Sequence, residues 1–148
     1  MMSKKKHLTI LVVIVIISLI AMVAYNFMNQ QKEEYAYFTE RLNVYYSDFS
    51  NNVEKLLEGK DIDFSEIDVN RLEVIRQLAE MANSGNIYAE KKSEEIEKIK
   101  ADIDVLYDDI VSTYYLKNTT ETVAADDEIL NQKDSIDGQI ENLLDEAI

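Results

Sequence analysis

LTILVVIVIISLIAMVA, residues 8–24, carries no charge, and Thr9 and Ser18 are its only polar side chains. Tyr25, Phe27 and Met28 extend its apolar character, interrupted by the amide of Asn26. At about 1.5 Å of rise per residue, roughly 20 helical residues cross a hydrocarbon core of about 30 Å. Residues 8–28 are therefore predicted to be a transmembrane anchor. Residues 1–7 form a basic tail with Lys4, Lys5, Lys6 and His7, whereas all 29 acidic residues follow the anchor. Lysine and arginine flanking a span are retained on the cytoplasmic side. The expected localisation is thus a single-pass cell-membrane protein with its N-terminus cytoplasmic and residues 29–148 extracytoplasmic.

A basic tail and an apolar run also describe a secretory signal. Signals have apolar regions of about 7–15 residues and end on a small-x-small cleavage site. Cleavage after Ala24 would place Met22 three residues before the cut, and cleavage after Ala21 would place Leu19 there. Neither fits, so a retained anchor is expected.

The chain has 148 residues, with no proline, no cysteine and three glycines. Disulfides are excluded, and the turn clusters that separate many short strands are missing. The expected fold is all-α. After the anchor, 12 basic residues stand against 29 acidic ones, a net charge of −17. Such a surface repels nucleic acid and anionic headgroups, so neither is expected as a partner of residues 29–148.

Beyond the anchor, Tyr35, Phe38, Leu42, Tyr45, Phe49, Val53 and Leu56 recur in steps of three and four, predicting one long helix that ends near Gly59. Asp61 to Ser65 read as a turn, with a Ser65–Asp68 capping box or Asp63 as the cap of a second helix. Val69, Leu72, Ile75, Leu78, Ala79 and Ala82 mark that helix, and Asn83 to Asn86 read as a reversal or a kink. The third helix carries Ile96, Ile99, Ile103, Leu106, Ile110 and Thr113. Asn118-Thr119-Thr120 closes it, and Ile129, Ile136, Ile140, Leu143 and Ala147 mark a last helix weakened by Gly138. Helices with one narrow apolar stripe are unstable alone and bury their stripes together. The predicted architecture is an elongated, coiled-coil-like antiparallel bundle of three to four helices over residues 29–148, with its first helix continuous with the anchor.

Asp61-Ile62-Asp63-Phe64-Ser65 opens like a helix-loop-helix calcium loop, but that loop needs glycine sixth and glutamate twelfth. Here those positions hold Glu66 and Leu72, so a turn and helix cap are expected instead. Asp102, Asp104, Asp108 and Asp109, and Asp126 to Glu128, read as solvated faces, because no histidine or cysteine joins them. The single histidine, His7, belongs to the basic tail, and three scattered glycines make no phosphate-cradling loop. No catalytic residue, cofactor or metal is expected, and the chain is read as a non-enzyme.

Nine tyrosines remain to be explained. Most fit the helical stripes as core or edge residues; Tyr37, Tyr46 and Tyr115 fall beside them, read either as core or bundle-edge residues or as outside contacts, and are the candidate partner contacts. The expected function is a membrane-anchored envelope protein whose acidic helical part binds or scaffolds another envelope protein, or itself. Phage or conjugation machinery is a narrower version of that partner. The alternatives are a cation- or solute-sensing bundle and a spanin-like lysis or fusion protein. The layout resembles type IV pilin subunits, whose apolar N-terminal helix also runs into an amphipathic one. It departs from them in lacking the glycine cleavage site and the early glutamate. Phage inner-membrane spanins and bitopic division proteins are similar in layout alone.

Overall fold

The computed structural model describes residues 4–115 and 122–145, with the backbone alone at 115 and 122–125; every regular element in these segments is a helix. Helix α1 runs unbroken from Lys4–Leu57, α2 spans Phe64–Asn83, α3 is a short turn at Ile87–Lys91, and α4 covers Ser93–Ile110. A π-helical turn, Val111–Tyr115, extends α4, and α5 covers Thr122–Asp145. The expected all-helical fold and the long apolar N-terminal helix are both present. The Asn118–Thr120 junction and Ala147 lie outside the described residues.

The two parts of α1 differ in surroundings. From residues 4–30 every residue is exposed, and the large apolar side chains between Leu8 and Met28 are 43–72% accessible. This part is long and apolar enough to cross a membrane. Its two hydroxyls are satisfied within the helix, Thr9 Oγ1 donating to the Lys5 carbonyl and Ser18 Oγ to that of Ile14, each at 2.9 Å. Within the apolar stretch neither hydroxyl needs water. Burial begins after Gln31, and Tyr35, Leu42, Phe49 and Val53 then enter the core as their spacing predicts.

Helix α1 ends where a glycine permits it. Gly59 has φ +75°, the Gly59 amide donates to the Leu56 carbonyl and the Lys60 amide to that of Lys55, both at 3.0 Å. These are the paired bonds of a Schellman cap, which needs a left-handed residue at this position. Asp63 then caps α2, accepting from the Ser65 amide at 2.9 Å. Of the two caps considered, Asp63 is the one used, and the helix it starts sets the Phe64 ring against Tyr107, with centroids 5.4 Å apart.

The stripe expected on α2 holds at Leu78, with Ile75 and Ala82 packed against the core, but fails over its first part. Val69 and Leu72 are exposed, whereas Ile67, Val74, Leu78 and Met81 are buried together with Gln77. Helix α2 carries two apolar seams side by side. The one anchored by Ile67 and Met81 near its ends turns inward. The reversal after α2 is a true break: Gly85 has φ +71°, and Asn86 caps α3 by accepting from the Tyr88 and Ala89 amides. On α4 the expected residues Ile96, Ile99, Ile103, Leu106 and Ile110 are all buried, as are Ile129, Ile136, Ile140 and Leu143 on α5.

These side chains form one core to which α1, α2, α4 and α5 all contribute. Helix α1 packs on α2 and α5, and α4 packs on α2 and α5. The cross-links run in opposing sequence order. Tyr35 reaches Leu143 while Tyr46 reaches Asp137, and Gln132 reaches Asp109 while Gln139 reaches Asp102.

Candidate functional site

The densest buried polar chemistry lies between α1 and α5. Position 133 falls on the inner stripe of α5, four residues after Ile129 and three before Ile136, yet it holds a lysine. Its side chain is 3% exposed. Burying an ammonium without partners would be severely unfavourable, so its hydrogen bonds must be met inside. Lys133 Nζ donates to Asp137 Oδ2 at 2.7 Å, one turn along α5, and pairs with Glu54 Oε1 at 2.8 Å across the seam. Asp137 Oδ1 in turn accepts from the Tyr46 hydroxyl at 2.5 Å and from Ser50 Oγ at 3.3 Å. Every bond but one joins α1 to α5.

This setting shifts two protons in the same direction. Burial pushes the Tyr46 phenol well above its ordinary range, and donation to Asp137 reinforces the effect. For Lys133, burial opposes the charge, but the bonds to Asp137 and Glu54 outweigh it and hold the ammonium above its usual value. The Tyr46 and Ser50 hydroxyls and two of the three ammonium protons thus have acceptors within the cluster, which ties α1 to α5. A shallow groove of about 330 Å³ opens beside it, lined by Asn43, Ser47, Ser50, Asp137 and Glu141 among others.

The three tyrosines singled out from the sequence part company. Tyr37 is 54% exposed, with the Arg41 guanidinium 5.4 Å from its ring centroid and Arg41 Nη1 donating to its hydroxyl at 3.3 Å. It remains available to a partner. Tyr46 is 5% exposed and belongs to the buried cluster; of its two readings, core residue and outside contact, its position is that of the core. The side chain of Tyr115 lies outside the described residues. Of the two that are described, Tyr37 faces outward and Tyr46 inward.

The acidic runs on α4 are used between helices. Asp104 accepts from Arg71 Nη1 at 2.9 Å, Asp109 from Gln132 at 2.6 Å and Asp102 from Gln139 at 2.8 Å. Arg71 also reaches Asp68 at 3.1 Å and lies 4.0 Å from the Tyr107 ring centroid, joining α2 to α4 by charge and by stacking. Burial, and a hydrogen bond to Asp68, raise the Tyr107 phenol. Tyr114 donates to Asp126, which with burial raises that phenol too. A larger groove, about 530 Å³, runs between α4 and α5 and is lined by Asp102, Val105, Asp127, Glu128, Asn131, Gln132, Ser135 and Ile136.

Sequence reasoning missed Lys133, Gln77 and Asn86, all 2% exposed or less. A signal existed for the first. The apolar stripe of α5 skips from 129 to 136, and the skipped inner position is occupied by the lysine. No protein-family model, curated protein or solved structure matches this chain.

Proposed function

We propose that this chain is a non-enzymatic, single-pass envelope protein. In this reading residues 8–28 lie in the membrane, the N-terminal tail is cytoplasmic, and an acidic, elongated antiparallel bundle stands outside as the binding or scaffolding part. One observation carries it. A single helix, Lys4–Leu57, is uncovered over its apolar first half and packed over its second, with no break between them. At about 1.5 Å per residue that helix is some 80 Å long. An unbroken helix transmits orientation, so the bundle would be held at a set angle and height above the membrane rather than on a flexible tether. The opposing order of the interhelical bonds supports the antiparallel arrangement, and the lysines before the span support the orientation.

In this reading the interior polar groups serve packing, and partner recognition falls to the exposed face of α1 that carries Tyr37 and Val44. The chain contains no cysteine, so one introduced thiol is a unique label. In intact cells or spheroplasts, Asn51→Cys should react with a membrane-impermeant maleimide, and Lys4→Cys should react only after permeabilisation. The reverse pattern overturns the orientation. A photo-crosslinking residue in place of Tyr37 should trap another envelope protein or a second copy of the chain. Crosslinks absent from both Tyr37 and Val44 would remove the scaffolding role.

A further inference from the structure

We infer that the junction between α2 and α4, residues 83–92 with the short helix α3, is a second membrane contact that rests in the headgroup layer beside the anchor. The inference depends on residues 8–28 being the span. Its starting point is height. If Met28 marks the hydrocarbon boundary, Gln31 lies about 5 Å beyond it and Glu34 about 9 Å, while the headgroup layer on each face is about 5–7 Å deep.

The junction is fastened to α1 from this height upward, lowest at Gln31 and then at Glu34 and Tyr35, which stand just past the headgroup layer. Asn86 Nδ2 donates to the Gln31 carbonyl at 2.7 Å and to Glu34 Oε2 at 2.9 Å, and the Ile87 amide donates to Gln31 Oε1 at 2.9 Å. The Tyr88 ring lies 6.0 Å from that of Tyr35. Asn86 is buried, so the fastening is internal and holds the turn against α1 rather than in open solvent. An element whose lowest fastening lies at headgroup height on the anchor helix is set beside the lipid surface.

Its side chains suit that place. Ile87 and Tyr88 are half-buried, Lys91 is exposed, and the Lys91 ammonium lies 5.7 Å from the Tyr88 ring centroid. Tyrosine and lysine are the residues that settle at a membrane interface, the ring among glycerol esters and the ammonium against phosphate. Residues 83–92 carry Glu90 against Lys91 and Lys92, in contrast to the strongly acidic remainder. In this proposal the repulsion expected between residues 29–148 and a lipid surface is reduced at this junction, although Glu33 and Glu34 of α1 lie nearby. With Glu90, Glu94 and Glu95 close by, the contact is with the phosphate and ester groups common to phospholipids rather than with net negative charge.

The chain has no tryptophan, so a single introduced one reports depth. Full-length Tyr88→Trp would be placed in phosphatidylcholine vesicles carrying a spin label at the headgroup or deep in the acyl chains. Asn83→Trp, on an exposed residue of the same junction, guards against a packing defect at position 88, and helicity is checked for each variant. Tyr25→Trp marks the anchor and Asn51→Trp a position far along α1. Headgroup label should quench both junction reporters on the order of twofold, deep label should quench them little, and Asn51→Trp should be unaffected. An unquenched Tyr25→Trp would overturn the anchor itself. Tyr25→Trp quenched with both junction reporters unaffected would overturn the headgroup contact alone. Equal quenching of Asn51→Trp and the junction would mean that the helices lie flat on the lipid, which also overturns the proposal.

Discussion

Helices α4 and α5 pack side by side and carry stripes of the same period, but they are filled differently. The inner positions of α4 are Ile96, Ile99, Ile103, Leu106 and Ile110, an unbroken apolar column. On α5 the column runs Ile129, Lys133, Ile136, Ile140 and Leu143, with a charge at its second step and Gly138 close behind. An apolar column decides which face turns inward, but similar side chains at each step distinguish poorly between one register and the next. Lys133, held between Asp137 on its own helix and Glu54 on α1, has partners at one register only. The inner columns therefore differ in kind: that of α4 supplies burial alone, and that of α5 supplies burial with one charged alignment point.

The largest effect should come from the apolar column. Ile103 is fully buried, and Ile103→Ala removes packed methyl groups without a neighbour free to fill the space. A loss of about 2–5 kcal/mol is expected, read as a lower urea midpoint at unchanged slope. A change below about 1 kcal/mol would mean that the α4 column is loosely packed and that the contrast with α5 is false.

Lys133→Ala should come second. Deleting one partner of a buried ion pair commonly destabilises by about 3–5 kcal/mol, but Asp137 and Glu54 are 37% and 53% exposed and water can take up their charge. About 1–3 kcal/mol is the expected loss. Lys133→Met restores the apolar volume and should recover most of it. If alignment is the lysine's task, Lys133→Met will show faster amide exchange across the α1–α5 seam despite near-normal stability. Normal exchange in that variant would leave the lysine no aligning role.

Much of this was legible in the residues, and the failures have physical causes. The long apolar N-terminal helix, the end of α1 at Gly59 and the columns of α4 and of most of α5 follow from composition, period and cap chemistry, which are local. The inward face of α2 did not. Val69 and Leu72 make as good a stripe as Ile67 and Val74, and only contact with α1 and α4 decides between them. Lys133 escaped because a charged residue on a stripe is ordinarily read as an interruption. Its partners Glu54 and Asp137 become visible only when α5 is laid against α1. Tyr46 shows the same limit, since its place beside the main stripe suits a core edge as well as an outer surface.

The cluster should also make stability depend on alkaline pH. Tyr46 and Lys133 both hold their protons more tightly folded than unfolded. Their contribution is complete below the unfolded values, near 10.0 and 10.5, and is lost as pH rises above them. In that range the unfolded chain has released protons that the folded chain retains, so stability falls with pH by up to about 1.4 kcal/mol per unit for each group. Tyr46→Phe removes one such proton. Urea midpoints from pH 8 to 11.5 should fall less steeply in the variant, the slope that remains being due to Lys133, Tyr107 and Tyr114. Parallel curves would show that Tyr46 does not hold its proton against Asp137.

The smallest effect should have the opposite sign. Gly138 sits inside α5, its φ is not positive, and a Cβ built on it meets nothing within 4 Å. Gly138→Ala therefore fills open space and reduces the freedom of the unfolded chain, and should stabilise by about 0.5–1 kcal/mol. The substitution bears on the contrast between the helices because Gly138 follows Asp137 directly. If the glycine merely lowers helix propensity, the gain will be the same in the Lys133→Met background as in the natural chain. If instead the Lys133–Asp137–Tyr46 bonds require local give in the helix, the gain will appear only when the lysine is gone. A double-mutant cycle on the two positions reads the difference directly, and a coupling below about 0.3 kcal/mol would assign Gly138 to propensity alone.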